Sequence, residues 1–159
     1  MKIRVGLGYD VHPLKEGKDL WLGGVKIPHT KGAVGHSDAD TLIHAMCDAF
    51  LGAANLGDIG THFPNTSDEF KGIDSKKLLK KVAEMLKKEG YEIGNVDCTV
   101  TLESPKIAPY VPEMKKILAE TLRIPLKNIS IKATTSEKMG FVGREEGIAA
   151  YAVALLMGY

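Results

Sequence analysis

The apolar residues of this chain recur at two spacings, and the alternating spacing predicts strands. Apolar residues alternate with polar residues or glycine over 2–12, which predicts a half-buried strand. The same pattern predicts strands over 96–102 and 129–133, and the apolar run 148–157 predicts a strand that is buried on both faces. The apolar positions of the first strand are Ile3, Val5, Leu7 and Tyr9.

Helical spacing, with apolar residues three or four positions apart, predicts three helices. The first has its apolar stripe over 42–54 and follows Ser37, which we expect to be its N-cap. The second begins at Ser75 as its cap, runs to about residue 90 and carries lysines on its solvated face. The third covers about 113–122. All three helices are therefore amphipathic, and we expect the apolar stripe of each one to pack against a sheet.

Two connecting segments have patterns of their own. The short apolar stretches 20–22 and 25–27 flank Gly23-Gly24, which is typical of a hairpin turn. Residues 55–73 have no sustained period and are predicted to form a long loop, and loops of that length are usually functional or mobile.

The order of these elements predicts a single α+β domain over residues 1–159. We expect a two-layer structure, in which a mostly antiparallel four-stranded sheet carries helices on one face, with a small hairpin beside it. A chain of 159 residues is long enough to bury one sizeable core.

Composition and charge exclude several classes of protein. The chain is 44% hydrophobic and 26% charged, as in ordinary globular proteins, and its net charge of +1 predicts neither a nucleic-acid partner nor a membrane partner. Cys47 and Cys98 form no paired motif and are interpreted as buried apolar residues in a reducing compartment. No apolar run approaches the roughly 20 residues of a membrane span. We therefore predict a cytoplasmic protein.

The first candidate for chemistry is Asp10 and His12 together with His44. Residues i and i+2 of a strand point to one face, so Asp10 and His12 converge, and a helix over that face brings His44 to them. Three nitrogen and oxygen ligands without cysteine are typical of a catalytic zinc site. Ordinary polar pairing of the three side chains is the alternative.

The second candidate is His36-Ser37-Asp38 at the start of the first predicted helix. Free amides and the helix dipole there favour an anion, although a helix cap alone is an equal alternative. Asp40 and Asp48 share a helix flank with His44, and either is predicted to orient its ring, unless they form surface salt bridges.

The third candidate is the segment from Lys132 to Arg144. Its strand end presents consecutive hydroxyls and a carboxylate, Glu137, which suit phosphate oxygens and Mg²⁺. The chain has neither a P-loop nor a dinucleotide-binding glycine motif, so phosphate binding must use another geometry.

Taken together, these segments resemble the 2-C-methyl-D-erythritol 2,4-cyclodiphosphate synthase family over essentially the whole chain. That family forms a cyclic diphosphate and releases CMP in non-mevalonate isoprenoid biosynthesis. The motifs that carry the resemblance are Gly8-Tyr9-Asp10-Val11-His12, His36-Ser37-Asp38-Ala39-Asp40 with His44-Ala45, Gly57-Asp58-Ile59-Gly60 with Phe63-Pro64, Ser104-Pro105-Lys106, and Lys132-Ala133-Thr134-Thr135-Ser136-Glu137-Lys138 with Gly140-Phe141 and Gly143-Arg144.

The resemblance implies a homotrimer with active sites at subunit interfaces, zinc on Asp10, His12 and His44, and a second divalent ion, Mg²⁺ or Mn²⁺, on Glu137. It implies that His36 and Thr135 stabilise the transition state, with Lys132 nearby. It further implies ribose contacts from the segment at Asp58, cytosine contacts from the segment at Lys106, a mobile loop at 63–67, and an axial cavity that takes an isoprenoid diphosphate. The implied substrate-binding residues are Asp10, His12, Ser37, Asp58, Ile59, Gly60, Phe63, Asn65, Ser67, Leu102, Lys106, Ile107, Ala108, Ala133, Thr134, Ser136, Glu137, Phe141 and Arg144.

Three positions depart from the family pattern, and two other functions compete with the cyclase. Ser136 and Val142 stand where the family commonly has Thr. Asn65 stands where the family commonly has Asp, and it keeps a hydrogen-bonding side chain. A zinc-dependent hydrolase of a nucleotide-linked diphosphate is the alternative enzyme. A non-catalytic trimer that senses a nucleotide or an isoprenoid diphosphate is the alternative from a different class, but it has no need of two metal sites.

Overall fold

Two long strands form the centre of the main sheet in this computed structural model, which describes residues 1–159. β1 (Lys2–Glu16) and β7 (Gly147–Gly158) pair antiparallel, from Lys2 opposite Gly158 to Pro13 opposite Gly147. The other three strands are β4 (Lys31–Ala33), antiparallel to the end of β1, β5 (Tyr91–Thr101), antiparallel to β7, and β6 (Ile129–Thr134), parallel to β5, which gives the order β4-β1-β7-β5-β6.

The predicted α+β class is confirmed, and three of the four strand pairings are antiparallel, as predicted, but the sheet has five strands instead of four and one pairing is parallel. β4 has three residues, too few for an alternating pattern. The parallel pair arises because a helix connects β5 to β6, and such a crossover returns the chain in the same direction.

The helices lie where their apolar spacing predicts them. α1 (Thr41–Ala53), α3 (Ser75–Lys88) and α4 (Val111–Leu122) turn their stripes into the core. The smaller elements are the hairpin β2 (Leu20–Leu22) and β3 (Val25–Ile27), the short helices α2 (Ile59–His62) and α5 (Gly140–Gly143), and 3₁₀ turns at Asp68–Phe70, Ala108–Tyr110 and Leu126–Asn128.

The two predicted helix caps are wrong. Asp40 caps α1, because its side chain accepts a hydrogen bond from the Ile43 amide at 3.0 Å. Asp74 caps α3 by accepting from the Lys76 amide. In both places a carboxylate takes a free amide of the first turn, and the hydroxyls of Ser37 and Ser75 have other partners.

The buried face of β1 is the opposite of the predicted one. Gly6 and Gly8 face α1, and a β-carbon on Gly8 would lie 1.8 Å from the Ala45 carbonyl oxygen. The helix therefore rests directly on the strand backbone, which only glycine permits. The predicted apolar face points outward instead, with Ile3, Val5, Leu7 and Tyr9 exposed by 63%, 64%, 69% and 45%.

β7 also turns its small residues toward α1 and its larger apolar residues outward, so the prediction that it is buried on both faces is wrong. Its alanines Ala150, Ala152 and Ala154 are buried on the helical side, while Tyr151 and Val153 are about half exposed on the other side. Alanine is required there for the reason that glycine is required in β1: α1 packs against both strands.

One continuous core joins the sheet, the three long helices and the hairpin. Cys47 and Cys98 are buried within it and unpaired, as predicted. None of the helices is both long and apolar enough to cross a membrane.

Candidate active site

Three potential metal ligands meet where β1 passes under α1. Asp10 and His12 lie two residues apart on β1, on the face that carries Gly6 and Gly8, and His44 lies in the first turn of α1. Asp10 Oδ2 is 2.7 Å from His12 Nε2 and 3.2 Å from His44 Nδ1, and the two ring nitrogens are 3.3 Å apart. The predicted convergence is therefore confirmed.

The hydrogen bonds around this cluster occupy the outer ring nitrogens of His12 and His44 and leave the nitrogens that face Asp10 without protons. His12 Nδ1 donates to the Val34 carbonyl at 3.1 Å, so a neutral ring presents the lone pair of Nε2 to Asp10. His44 turns Nε2 away, toward the hydroxyls of Ser37 and Ser75. Asp10 Oδ2 is buried and accepts no hydrogen bond. An orphaned carboxylate oxygen beside two imidazole nitrogens fits a bound divalent metal ion.

Protons and a cation compete for this cluster. Burial would raise the pKa of Asp10, but the His12 and His44 rings, which can donate to its carboxylate only when they are protonated, outweigh burial and lower that pKa. Burial would lower the pKa of His12, but the hydrogen bond and charge of Asp10 raise it. The ion pair that forms without metal must give up a proton when metal binds.

Neither Asp40 nor Asp48 orients His44, so that prediction is wrong. Asp40 is fully buried and accepts from the amides of Gly23 and Gly24 at 3.0 and 2.8 Å, which ties the hairpin to the start of α1. Burial and the nearby Asp38 raise the pKa of Asp40. Asp48 accepts from the Ile59 amide at 2.7 Å and so fixes α2.

The segment before α1 holds the long loop. His36 Nε2 donates to the Ser67 carbonyl at 2.8 Å, and the His36 carbonyl accepts from the Gly72 amide. The Asp38 carboxylate accepts from the Ser75 amide. The helix begins at Thr41, beyond this segment, and Asp40 already takes the Ile43 amide. This segment therefore fastens the long loop to the start of α1, and the anion site at His36 and Ser37 stays a prediction.

A cleft of about 500 Å³ opens beside the cluster. The rings of His12, His36 and His44 line it together with Ser37. The predicted residues of the loop that also line it are Ile59, Gly60, Phe63 and Asn65.

Two other predicted residues of the loop shape its backbone. Asp58 Oδ1 accepts from the amide and the hydroxyl of Thr61, which caps α2 and lowers the pKa of Asp58. Ser67 caps the following 3₁₀ turn by accepting from the Glu69 amide. The loop is thus built from two short capped turns.

A second group of predicted residues lies at the far edge of the sheet. Glu103, which the sequence analysis missed, accepts from the amides of Ser136 and Lys138 at 3.2 and 3.1 Å. It holds the turn in which Glu137 takes a φ of +56°. Lys132 forms an ion pair with Asp97 and lowers its pKa. Thr134 and Thr135 are exposed beside them.

The two groups do not meet within one chain. Val11 pairs with Ala149, Ala149 with Thr101, and Thr101 with Thr134. Three strand spacings of about 4.8 Å separate Val11 from Thr134 by about 14 Å. None of the predicted residues in 102–108 or 132–137 lines the cleft.

Comparison with known proteins decides the family. The model of the YgbB family matches residues 3–157. This chain belongs to the YgbB family.

Two relatives of this YgbB chain are 2-C-methyl-D-erythritol 2,4-cyclodiphosphate synthases. The protein of Cytophaga hutchinsonii is 62% identical over 157 residues, which are 99% of each chain. That of Parabacteroides distasonis is 61% identical and covers 98% of this chain and 97% of its own. The predicted family is confirmed, and none of the relatives named here supports the hydrolase alternative.

Solved structures agree with this family. The Plasmodium falciparum IspF in a CDP complex has a TM-score of 0.87 and 38% identity, and the match covers 98% of this chain and 96% of that one. The bifunctional IspDF of Campylobacter jejuni has a TM-score of 0.96 and 42% identity, and the match covers 99% of this chain but 43% of that longer one.

The YgbB chain places its last two predicted residues in and beside α5. Phe141 is 40% exposed and packs against Gly147, where a β-carbon would lie 2.9 Å from its ring. Arg144 forms two hydrogen bonds with the carboxylate of Glu146 at 3.1 and 3.3 Å. This pairing raises the pKa of Arg144 and lowers that of Glu146, a residue that the sequence analysis missed.

Proposed function

We propose that this chain converts 4-diphosphocytidyl-2-C-methyl-D-erythritol 2-phosphate into 2-C-methyl-D-erythritol 2,4-cyclodiphosphate and CMP. Relatives that match nearly its whole length carry the name of that synthase. The observation in the chain itself that supports the proposal is the meeting of Asp10, His12 and His44 beside the cleft, with an unpaired carboxylate oxygen between two ring nitrogens.

The reaction asks for charge neutralisation more than for proton transfer. The attacking 2-phosphate has a second pKa near ~6, so it is mostly ionised at neutral pH. It attacks the β phosphorus in line, and CMP leaves as a stable anion without a general acid. The residues of the site therefore have to hold two anionic groups together and offset the charge between them.

Asp10, His12 and His44 are the proposed ligands of zinc. A zinc ion held there would act as a Lewis acid toward a phosphate oxygen of the substrate. Glu137 is the proposed ligand of a second divalent ion, Mg²⁺ or Mn²⁺. It is exposed, and a carboxylate is the ligand type that such ions prefer. Glu103 supports this role because it holds the turn that presents Glu137.

The proposed donors to the phosphates come from both groups of residues. Ser37 Oγ accepts from the Ala39 amide and faces His44 Nε2, which leaves its own proton for a phosphate oxygen. His36 borders the cleft and, with Thr135, is assigned to stabilising the transition state. Lys132, which lies three residues before Thr135, is also assigned a catalytic role. The further donors assigned to phosphate are Ala133, Thr134 and Ser136.

The separation of these groups supports an active site shared between two copies of the chain. The zinc cluster and the group at Thr134 lie about 14 Å apart in one sheet, too far to grip one diphosphate. A neighbouring copy that brings its own 132–137 edge to the cleft would complete the site.

The exposed face of the sheet supports a homotrimer. Residues of β1 and β7 form one apolar patch there, because Leu7 pairs with Val153 and Tyr9 with Tyr151, whose rings lie 5.1 Å apart. Exposed apolar patches of this kind are typical of interfaces between chains. We assign the patch to the three-fold contact, with Phe141 and Arg144 near the axis and an isoprenoid diphosphate in the axial cavity.

The nucleotide and the sugar are assigned to the remaining predicted residues. CDP complexes of similar structures support a cytidine site. Asp58, Ile59 and Gly60 are assigned to ribose, and Phe63, Asn65 and Ser67 to methylerythritol. The residues assigned to cytosine are Leu102, Lys106, Ile107 and Ala108.

Phosphorus NMR tests this function. The purified chain, given the cytidyl substrate with Zn²⁺ and Mg²⁺, should release CMP and yield two coupled signals of a cyclic diphosphate. His44→Ala should abolish turnover, whereas His29→Ala, outside the cleft, should keep it. CMP with an open-chain diphosphate would favour a hydrolase, and unchanged substrate would favour a binding protein.

A further inference from the structure

A second polar cluster lies behind the zinc ligands, on the far side of the His44 ring. Nε2 of His44 is 2.9 Å from Ser75 Oγ and 3.0 Å from Ser37 Oγ. Ser75 is the first residue of α3, and no part of it is exposed. Its hydroxyl is therefore committed to partners inside the protein.

Asp38 holds Ser75 at two points. One carboxylate oxygen accepts from the Ser75 amide at 3.0 Å, and the other accepts from the Ser75 hydroxyl at 2.5 Å. Because a carboxylate can only accept, and Ser75 has one hydroxyl proton, that proton points to Asp38. Ser75 Oγ then offers only a lone pair to His44.

This arrangement decides the tautomer of His44. An oxygen lone pair and a nitrogen lone pair cannot form a hydrogen bond without a proton between them, so Nε2 of His44 must carry the hydrogen that it donates to Ser75 Oγ. Nδ1 is then left unprotonated toward Asp10 and His12. We propose that Ser75 and Asp38 are positioning residues, which hold His44 as the Nε2–H tautomer and so present Nδ1 to the metal.

This role rests on the zinc site of the proposed function, and it concerns Ser75 and Asp38, neither of which is a proposed ligand of the metal. Metal-bound histidines usually donate their other nitrogen to a fixed acceptor, and such partners tune metal affinity. Here the acceptor belongs to α3, the helix that follows the long loop. The Ile73 carbonyl also accepts from the Asp38 amide, so the ligand ring, the segment before α1 and the end of the loop are fastened together.

The first test measures zinc affinity by competition with a chelator. Ser75→Ala removes the acceptor while Asp74 still caps α3, so we expect the Kd for Zn²⁺ to rise by about 10- to 100-fold. Thr41→Val is the matched control, since it removes another fully buried hydroxyl, which bonds to the Ala39 carbonyl and not to His44. It should leave the Kd within about twofold of wild type.

The second test reads the tautomer in the unaltered protein, so it does not depend on whether a variant folds. In protein labelled at its histidine nitrogens and loaded with NMR-active cadmium, we expect coupling of the metal to Nδ1 of His44 and a slowly exchanging proton on Nε2. In Ser75→Ala the Nε2 proton should exchange rapidly. A merely structural role for Ser75 would leave that signal unchanged.

The outcomes separate the two proposals. If wild type binds zinc and Ser75→Ala binds it equally well, the positioning role is wrong and the proposed function stands. Coupling of cadmium to Nε2 of His44 would overturn the positioning role in the same way. A wild-type chain that binds no zinc would overturn both.

Discussion

Gly8 lies directly beneath Ala45, the neighbour of His44, and a β-carbon on Gly8 would be 1.8 Å from the Ala45 carbonyl oxygen. The close approach of strand and helix is what brings His44 within 3.2 Å of Asp10. The glycine therefore sets the geometry of the metal cluster from two residues away.

Gly8→Ala should push α1 off β1. We expect it to lower the free energy of unfolding by about 3 kcal/mol, at the upper end of overpacking costs, and to weaken zinc binding. Urea unfolding with chelator present measures the first effect, and chelator competition the second. Gly52→Ala, in the same helix with open space around it, should instead stabilise by about 0.5–1 kcal/mol. Equal effects of the two substitutions would contradict this account.

Asp40→Ala should be among the most destabilising single changes. It removes a helix cap, worth about 1 kcal/mol, and leaves the amides of Gly23 and Gly24 buried without an acceptor, at about 1–3 kcal/mol each. We expect a total loss of about 3–7 kcal/mol in urea unfolding. Asp74→Ala removes the cap of α3 and a partly exposed ion pair with Lys76, and it should lose about 1 kcal/mol. A loss for Asp40→Ala no larger than for Asp74→Ala would show that the hairpin amides find other partners.

The stability of the metal-free chain should fall as the pH rises above 6.5, the ordinary pKa of histidine. Burial works against protonation of His12, but Asp10 outweighs it, so the folded pKa lies above the unfolded one. The stabilisation is full below the unfolded pKa and is lost as the pH passes the folded value. Urea unfolding in chelator at a series of pH values measures this, and His12→Gln should remove that part of the slope.

Zinc affinity should change with pH in the opposite sense. Zinc must displace the proton that His12 holds, so its Kd should rise as the pH falls through the raised pKa of His12. One displaced proton corresponds to about tenfold per pH unit. Chelator competition between about pH 5 and about pH 8 tests this. A Kd that is constant over that range would mean that the cluster binds zinc without losing a proton.

Leu7→Asp should break the proposed trimer without unfolding the chain. Leu7 is 69% exposed on the sheet face, so a carboxylate there is solvated in a single chain but not between chains. We expect light scattering to report monomers, and turnover to be lost. Leu126→Asp is the control, because Leu126 is 52% exposed on a 3₁₀ turn away from that face. A trimer that survives Leu7→Asp would place the contact elsewhere.

The sequence by itself determined the longer elements and the candidate metal cluster, because both follow from the spacing of residues along the chain. Apolar spacing depends on the period of a strand or helix, so the three long helices and the hairpin lie where it predicts them. Asp10 and His12 share a face because they are two residues apart, and His44 lies on the helix that covers that face.

The tertiary structure alone decided which face is inside and which partners each polar group takes. The alternation in β1 shows that its two faces differ, but it does not show which face is buried. The glycine face is buried because α1 packs against the strand backbone, and the face with the larger apolar residues points outward. Ser75 contacts His44, which lies 31 residues away in the sequence. Glu103 accepts from the Ser136 amide, 33 residues away, in the turn that presents Glu137. Such contacts carry no local pattern, since they depend on where separate elements come to rest.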